Sequence, residues 1–318
     1  MKYRTLGRTG IEVSDIGYGA WGIGGGMWQG GDDDESIAAL ECALALGLNL
    51  IDTALVYGDG HSEQLVGKIA SKSVTIATKV PPKNGLWPAR PGIPIEKAFP
   101  YDWIISCTEK SLKNLGRERI DLQQLHVWNP EWINSEIWRR AFEDLKKSGK
   151  VRFVGVSIND HQPDSALELV RTGLIDTVQV IYNIFDQSPE ARLFPLCHEL
   201  GIGVLARVPF DEGALTGKIT EESKFEPGDF RARYFRGERK RDVIRHVAAL
   251  EKDLQGFGSL AEIALRFCLS NLAVSTVIPG MRKVHNVQMN IAASQAGPLP
   301  LDLQAILKKH AWEKNFYS

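Results

Sequence analysis

Three titratable residues close apolar runs of this chain: Asp52 ends LNLID, Lys79 ends VTIATK and His126 ends IDLQQLH. A fourth, Tyr57, follows Asp52 within IDTALVYGDGHSEQLVG, where a loop meets a helix-patterned segment. Singly each has an ordinary reading: a carboxylate that caps a helix, a satisfied core imidazole, an ammonium that reaches solvent. If the runs are strands opening on one face, however, the side chains converge on one pocket. A phenol titrates near pH ~10 and is a poor acid at neutrality unless its surroundings stabilise the phenolate. A nearby ammonium would lower that value, a carboxylate would hold the ammonium, and an imidazole would bond a substrate oxygen. Asp52, Tyr57, Lys79 and His126 therefore suit protonation of a carbonyl oxygen, and the matching hydride must come from a cofactor.

The elements that would position these residues repeat. YRTL, GRTG and IEV read as an N-terminal β-hairpin, after which eight strand candidates follow: DIGYG, LNLID, VTIATK, IDLQQLH, RFVGVS, DTVQVIY, IGVLAR and VSTVIP. Helix-patterned segments alternate with them, several opening on a capping residue and ending near glycine. The pattern predicts an α/β fold, a (β/α)8 TIM barrel forming one domain over residues 1–318, with no Pro/Gly/Ser linker. Residues 80–100 and 208–241 are long connections on the C-terminal face, where barrel enzymes place walls and lids. GYGAWG, residues 17–22, fits the glycine template of a dinucleotide-binding turn. That template also needs a helix opening on its last glycine and an acidic residue about 20 positions on, at the tip of the next strand. Here the helical pattern cannot begin before Asp33 and the next strand ends only at Asp52, so the match is a decoy.

Composition narrows the class. Hydrophobic content of 43% and charged content of 24% are ordinary for a globular protein with a full core. A formal net charge of −1 argues against a general nucleic-acid or anionic-membrane binder. Cys42, Cys107, Cys197 and Cys268 are scattered without a C-x-x-C pair and read as thiols in a reducing compartment rather than a disulfide framework or metal site; no metal is expected. No apolar stretch resembles a signal peptide or a membrane span, so the expected location is cytoplasmic. GDDDES reads as an acid-rich helix N-terminus favoured by the macrodipole.

The chain resembles the aldo-keto reductases along essentially its whole length. YRTLGRTGIEVSDIGYGAWGIGG is similar to the family's hairpin and first strand, and IDTALVYGDGHSEQLVG to its Asp/Tyr motif. TIATK resembles the Lys strand and IDLQQLH the His strand, while GKVRFVGVS, ALTGK and STVIPGMRK match later segments in order. The resemblance implies that Tyr57 is the general acid, that Lys79 and Asp52 tune it, that His126 orients the carbonyl, and that NADP(H) binds in extended form without a Rossmann domain. It further implies that Ser157 and Gln179 bond the nicotinamide carboxamide. Amides of Gly213, Ala214, Leu215 and Gly217, with the Lys218 ammonium, would meet the pyrophosphate. Gly280 and the following amides, with Arg282, would receive a 2′-phosphate, favouring NADPH, and Gln288 and Asn290 would lie near adenine.

Two departures from the family pattern stand out. Ser157-Ile158-Asn159 replaces the usual Ser-Asn, and Arg207 stands where an aromatic ring usually stacks on the nicotinamide. A planar guanidinium can fill that stacking position. Trp21, Trp87 and Trp128 follow the first, third and fourth barrel strands and are candidate walls of the substrate pocket. The basic stretch RARYFRGERKRD reads as a solvated loop and helix start, with attraction of an anionic substrate as the alternative. The expected activity is reversible reduction of an aldehyde or ketone by NADPH, without nucleic-acid or membrane partners. Two other readings compete: an NADP(H)-binding regulatory or sensor subunit with little turnover, and a lyase using Lys79 as a Schiff base.

Overall fold

The computed structural model describes residues 1–317. Tyr3–Thr5 (β1) and Glu12–Ser14 (β2) pair antiparallel as the expected hairpin. The main sheet runs in parallel sequence order through Tyr18–Gly19 (β3), Leu50–Asp52 (β4), Thr75–Val80 (β5), Ile120–Leu125 (β6), Val151–Ser157 (β7), Thr177–Ile181 (β8), Gly203–Arg207 (β9) and Val274–Val277 (β10). These are the eight predicted strands, the first shorter than its sequence run because Asp15 and Ile16 meet the last strand instead. Interleaved helices are Asp33–Ala45 (α1), His61–Ile69 (α2), Ile95–Ala98 (α3), Tyr101–Leu115 (α4), Glu136–Lys147 (α5), Leu167–Thr172 (α6), Leu193–Leu200 (α7), Phe230–Tyr234 (α8), Arg239–Asp253 (α9), Leu260–Ser270 (α10), Val284–Ala296 (α11) and Leu301–Lys308 (α12). Strands β4, β5, β8 and β10 are buried at every position, as a parallel sheet covered by helices requires.

The barrel closes between β3 and β10. Ile16 bridges Val277 and Gly19 bridges Gly280; the Gly17 amide donates to Val277 O at 2.8 Å and the Val277 amide to Asp15 O at 2.9 Å. A Cβ on Gly19 would come within 2.6 Å of Ile278 O, so glycine there lets two backbones approach. GYGAWG thus supplies the seam of a barrel. Its last residues enter a 3-10 turn, Trp21–Ile23, and α1 begins only at Asp33. Asp32 caps α1 by accepting from the Glu35 amide at 2.9 Å, which accounts for the acidic run. At the opposite end Leu6 and Val13 of the hairpin pack on Leu50, Ala77, Leu122 and Leu205 inside the barrel, forming its floor.

Both long connections fold further than expected. Residues 80–100 contain the single turn α3, and 208–241 contain a 3-10 segment, Asp211–Thr216, then α8 and the first turn of α9. Among the described residues no helix is long and apolar enough to cross a membrane.

Candidate active site

Strands β4 and β5 bring their terminal charges into contact. The Lys79 ammonium donates to Asp52 Oδ2 at 2.6 Å and to Thr53 O at 2.8 Å, with both side chains almost wholly buried. Gln179 Nε2, from β8 across the barrel, donates to the other carboxylate oxygen at 2.7 Å. The carboxylate is therefore fixed from two sides. Tyr57, half-buried, lies with its ring centroid 5.2 Å from Lys79 Nζ and 5.7 Å from the edge-on ring of His126. The four residues singled out in sequence come together in one cluster at the C-terminal ends of the strands.

The electrostatics depart from one expectation. Burial, the Asp52 carboxylate and Glu212 push the Tyr57 phenol above its ordinary range, with Arg207 opposing them. The lowering expected from Lys79 does not prevail, because burial of the ring and the Asp52 carboxylate raise the phenol instead. Burial lowers Lys79 itself, with Asp52 opposing. His126 is held well below the usual imidazole value by burial, Lys79 and Arg207, so its ring is neutral at pH ~7. Its Nδ1 is buried without a partner. The site holds a protonated phenol, a neutral imidazole and a clamped ion pair.

Aromatic rings border this pocket. Trp21 stacks beside Tyr57 at 6.1 Å, Trp87 meets His126 edge-on at 5.2 Å, and Phe230 of α8 lies 5.1 Å from Trp21. Tyr317, from the segment after α12, lies 5.9 Å from Phe230 and 5.7 Å from His161. Trp128 is placed differently: it is fully buried and packs edge-on against Trp132 and Trp138, behind the loop that it begins. Sequence reasoning misses Phe230 and Tyr317 because neither sits at a strand end; proximity of Phe230 to the basic stretch is the only available signal.

The candidate cofactor residues line the ends of β7 to β10. Ser157 is buried at the end of β7. Asn159 is spent on the loop opposite, exchanging hydrogen bonds with the Ala89 amide at 3.1 Å and carbonyl at 3.0 Å. Arg207 donates to Asp160 Oδ1 at 2.7 Å and Ile158 O at 3.0 Å, so its charge is balanced beside the pocket, while its Nε is buried and unpartnered. The loop 211–217 differs from expectation: amides of Gly213 and Leu215 donate to Phe210 O, and that of Gly217 to Ala214 O. A 3-10 turn consumes donors that sequence reasoning reserves for phosphate. Lys218 is exposed, Gly280 has open space where a Cβ would be, and Arg282 Nη1 donates to Gln29 O at 3.0 Å. Gln288 is exposed on α11, and Asn290 is buried with Nδ2 unpartnered. Two orphaned buried donors among these residues, Arg207 Nε and Asn290 Nδ2, fit an acceptor-rich ligand. The basic stretch is mostly engaged: Arg231 chelates Asp229 at 2.9 and 2.7 Å, Lys240 donates to Glu221 O, and Arg241 pairs with Glu238.

The C-terminal face of an eight-stranded parallel barrel here gathers a clamped Lys–Asp pair, a phenol and a neutral imidazole, groups whose chemistry suits proton transfer to an oxygen. The chain belongs to the Aldo/keto reductase family, whose family model matches residues 15–311. It is 33% identical over 295 residues to the aldo-keto reductase YhdN of Bacillus subtilis, covering 89% of this chain and 86% of the relative. It is 31% identical over 310 residues to the NADH-specific methylglyoxal reductase of Escherichia coli, covering 92% and 93%. The solved holo form of an aldo-keto reductase from Bacillus halodurans superposes with a TM-score of 0.78 at 28% identity, covering 98% of this chain and 96% of that one. Members of the family are oxidoreductases that use nicotinamide cofactors, and carbonyl reduction is the chemistry that membership supports.

Proposed function

We propose that the protein reduces a small aldehyde or ketone with a reduced nicotinamide cofactor, and that Tyr57 supplies the proton. The observation that carries this reading is the placing of the Tyr57 ring beside both the buried Lys79–Asp52 pair and His126. When bound, the cofactor supplies hydride to the carbonyl carbon. As the carbonyl π electrons move to oxygen, the Tyr57 hydroxyl delivers its proton there, and the phenolate is reprotonated from solvent. Neutral His126 orients the carbonyl oxygen, and Lys79, fixed by Asp52, stabilises negative charge as it develops on Tyr57. Trp21, Trp87, Phe230 and Tyr317 make the walls apolar and exclude water.

Ser157 and the oxygen of Gln179 would receive the carboxamide, Arg207 would lie against the nicotinamide, Lys218 and Arg282 would meet phosphates, and Asn290 would meet adenine. Arg282 favours NADPH, since a 2′-phosphate offers a guanidinium two strong acceptors. The name of the Escherichia coli relative argues for running NADH beside it. The test is oxidation of each reduced cofactor with a panel of aldehydes and ketones. Turnover with NADPH exceeding that with NADH is expected. Tight cofactor binding with no turnover across the panel would replace this reading with a sensor role, and borohydride trapping of substrate on Lys79 would replace it with a lyase.

A further inference from the structure

The segment after α12 lies across the loop that follows β9. The Trp312 amide donates to Phe185 O at 2.9 Å and its ring stacks on His246 at 3.8 Å, which anchors the start of the segment. Lys314 then donates to Asp211 Oδ1 at 2.6 Å, with the two side chains 4% and 2% exposed. Three residues on, the Tyr317 hydroxyl donates to Glu212 Oε1 at 2.5 Å. Both acids sit in a left-handed backbone, φ 49° at Asp211 and 57° at Glu212, and Val208 just before them has φ 56°. Such conformations persist in non-glycine residues only where surrounding contacts hold them. Directly beyond these acids lie Gly213, Leu215 and Gly217, whose amides are closed within the turn. For those amides to meet a phosphate the turn must open.

We propose that residues 311–317 are a strap on this loop, with Lys314 and Tyr317 as positioning residues that must release Asp211 and Glu212 before cofactor can enter. The inference rests on the reading that residues 213–218 hold the cofactor's phosphates. A strap that holds the turn closed slows entry and weakens affinity, because in the bound state the turn is already open. It also links the two halves of the site: Tyr317 borders the substrate pocket while holding the cofactor loop.

The test uses Lys314→Met and Tyr317→Phe in the full chain. Tyr317→Phe keeps the ring and removes only its hydroxyl, so it guards against misfolding in Lys314→Met, which leaves a buried carboxylate unpaired. Stopped-flow fluorescence with NADPH should show association up to about tenfold faster, as expected for loss of one buried hydrogen bond, with dissociation little changed and Kd lower by a similar factor. Hydrogen exchange without cofactor should quicken across 211–217 and stay unchanged in β6. Unchanged rates in both variants, or unchanged exchange at 211–217, would overturn the proposal. If the wild type binds neither NADPH nor NADH the functional reading fails separately, and unaltered exchange in the variants would still sink the strap.

Discussion

At the scale of single residues, the site is organised around Asp52. Lys79 and Gln179 hold its two oxygens at 2.6 and 2.7 Å, so the ammonium cannot swing away from Tyr57 without breaking a buried pair. Tyr57 is displaced above its ordinary range and His126 well below its own, so neither changes protonation between pH ~6.5 and ~10. The single-turnover rate of reduction is therefore expected to stay flat across that window and to fall only on its alkaline side, where the phenol finally ionises. Glu212, whose charge acts on Tyr57, itself titrates at about 7, so a limb near neutrality that persists in Glu212→Gln would contradict the assignment of the acid. Arg207 is likewise a pair rather than a lone charge, since Asp160 stands against it. Its pairing lets a guanidinium stand near Tyr57 and His126 with a carboxylate against it.

At the scale of elements, the loop between β9 and α8 holds three of the five non-glycine residues with left-handed backbone among the described residues, Val208, Asp211 and Glu212. Glu212 is buried, and burial, with Asp211 and Asp160 adding to it, pushes its carboxyl up to about 7 despite the Tyr317 hydroxyl. A carboxyl raised in the fold binds protons more readily there than in the unfolded chain. Its neutral form stabilises the fold fully below its unfolded value of about 4.5, and that stability is lost as pH rises through about 7. Glu212→Gln, which removes the charge and keeps an acceptor for Tyr317, should match the wild type near pH ~4 and exceed it by about 1–3 kcal/mol above pH ~8. Denaturant titrations at both pH values check this; a difference independent of pH would show that Glu212 is not buried as an acid.

At the scale of the molecule, the barrel depends on a seam that side chains cannot enter. Gly19→Ala would drive a Cβ against the Ile278 and Pro279 carbonyls, and overpacking of that kind costs about 1–3 kcal/mol. The unfolding midpoint should fall accordingly; an unchanged midpoint would mean that the seam is loose. Much of this architecture is legible in sequence, because alternating buried strands and capped helices write their periods into the chain. Asp52, Tyr57, Lys79 and His126 are legible for the same reason, three of them closing apolar strands. What escapes has no period: the strap is an irregular segment, α12 lies outside the eight repeats, and the Gln179–Asp52 bond joins residues far apart in the chain. The amides of 213–217 escape because a sequence shows donors without showing which of them a turn will consume.

The central claim is that Tyr57 gives the proton, and Tyr57→Phe tests it most directly. Measured beside the wild type with a turned-over carbonyl substrate, the variant should lose kcat by at least about 10²-fold while cofactor Kd stays the same, since only the acid is removed. Wild-type kcat in Tyr57→Phe would contradict the account.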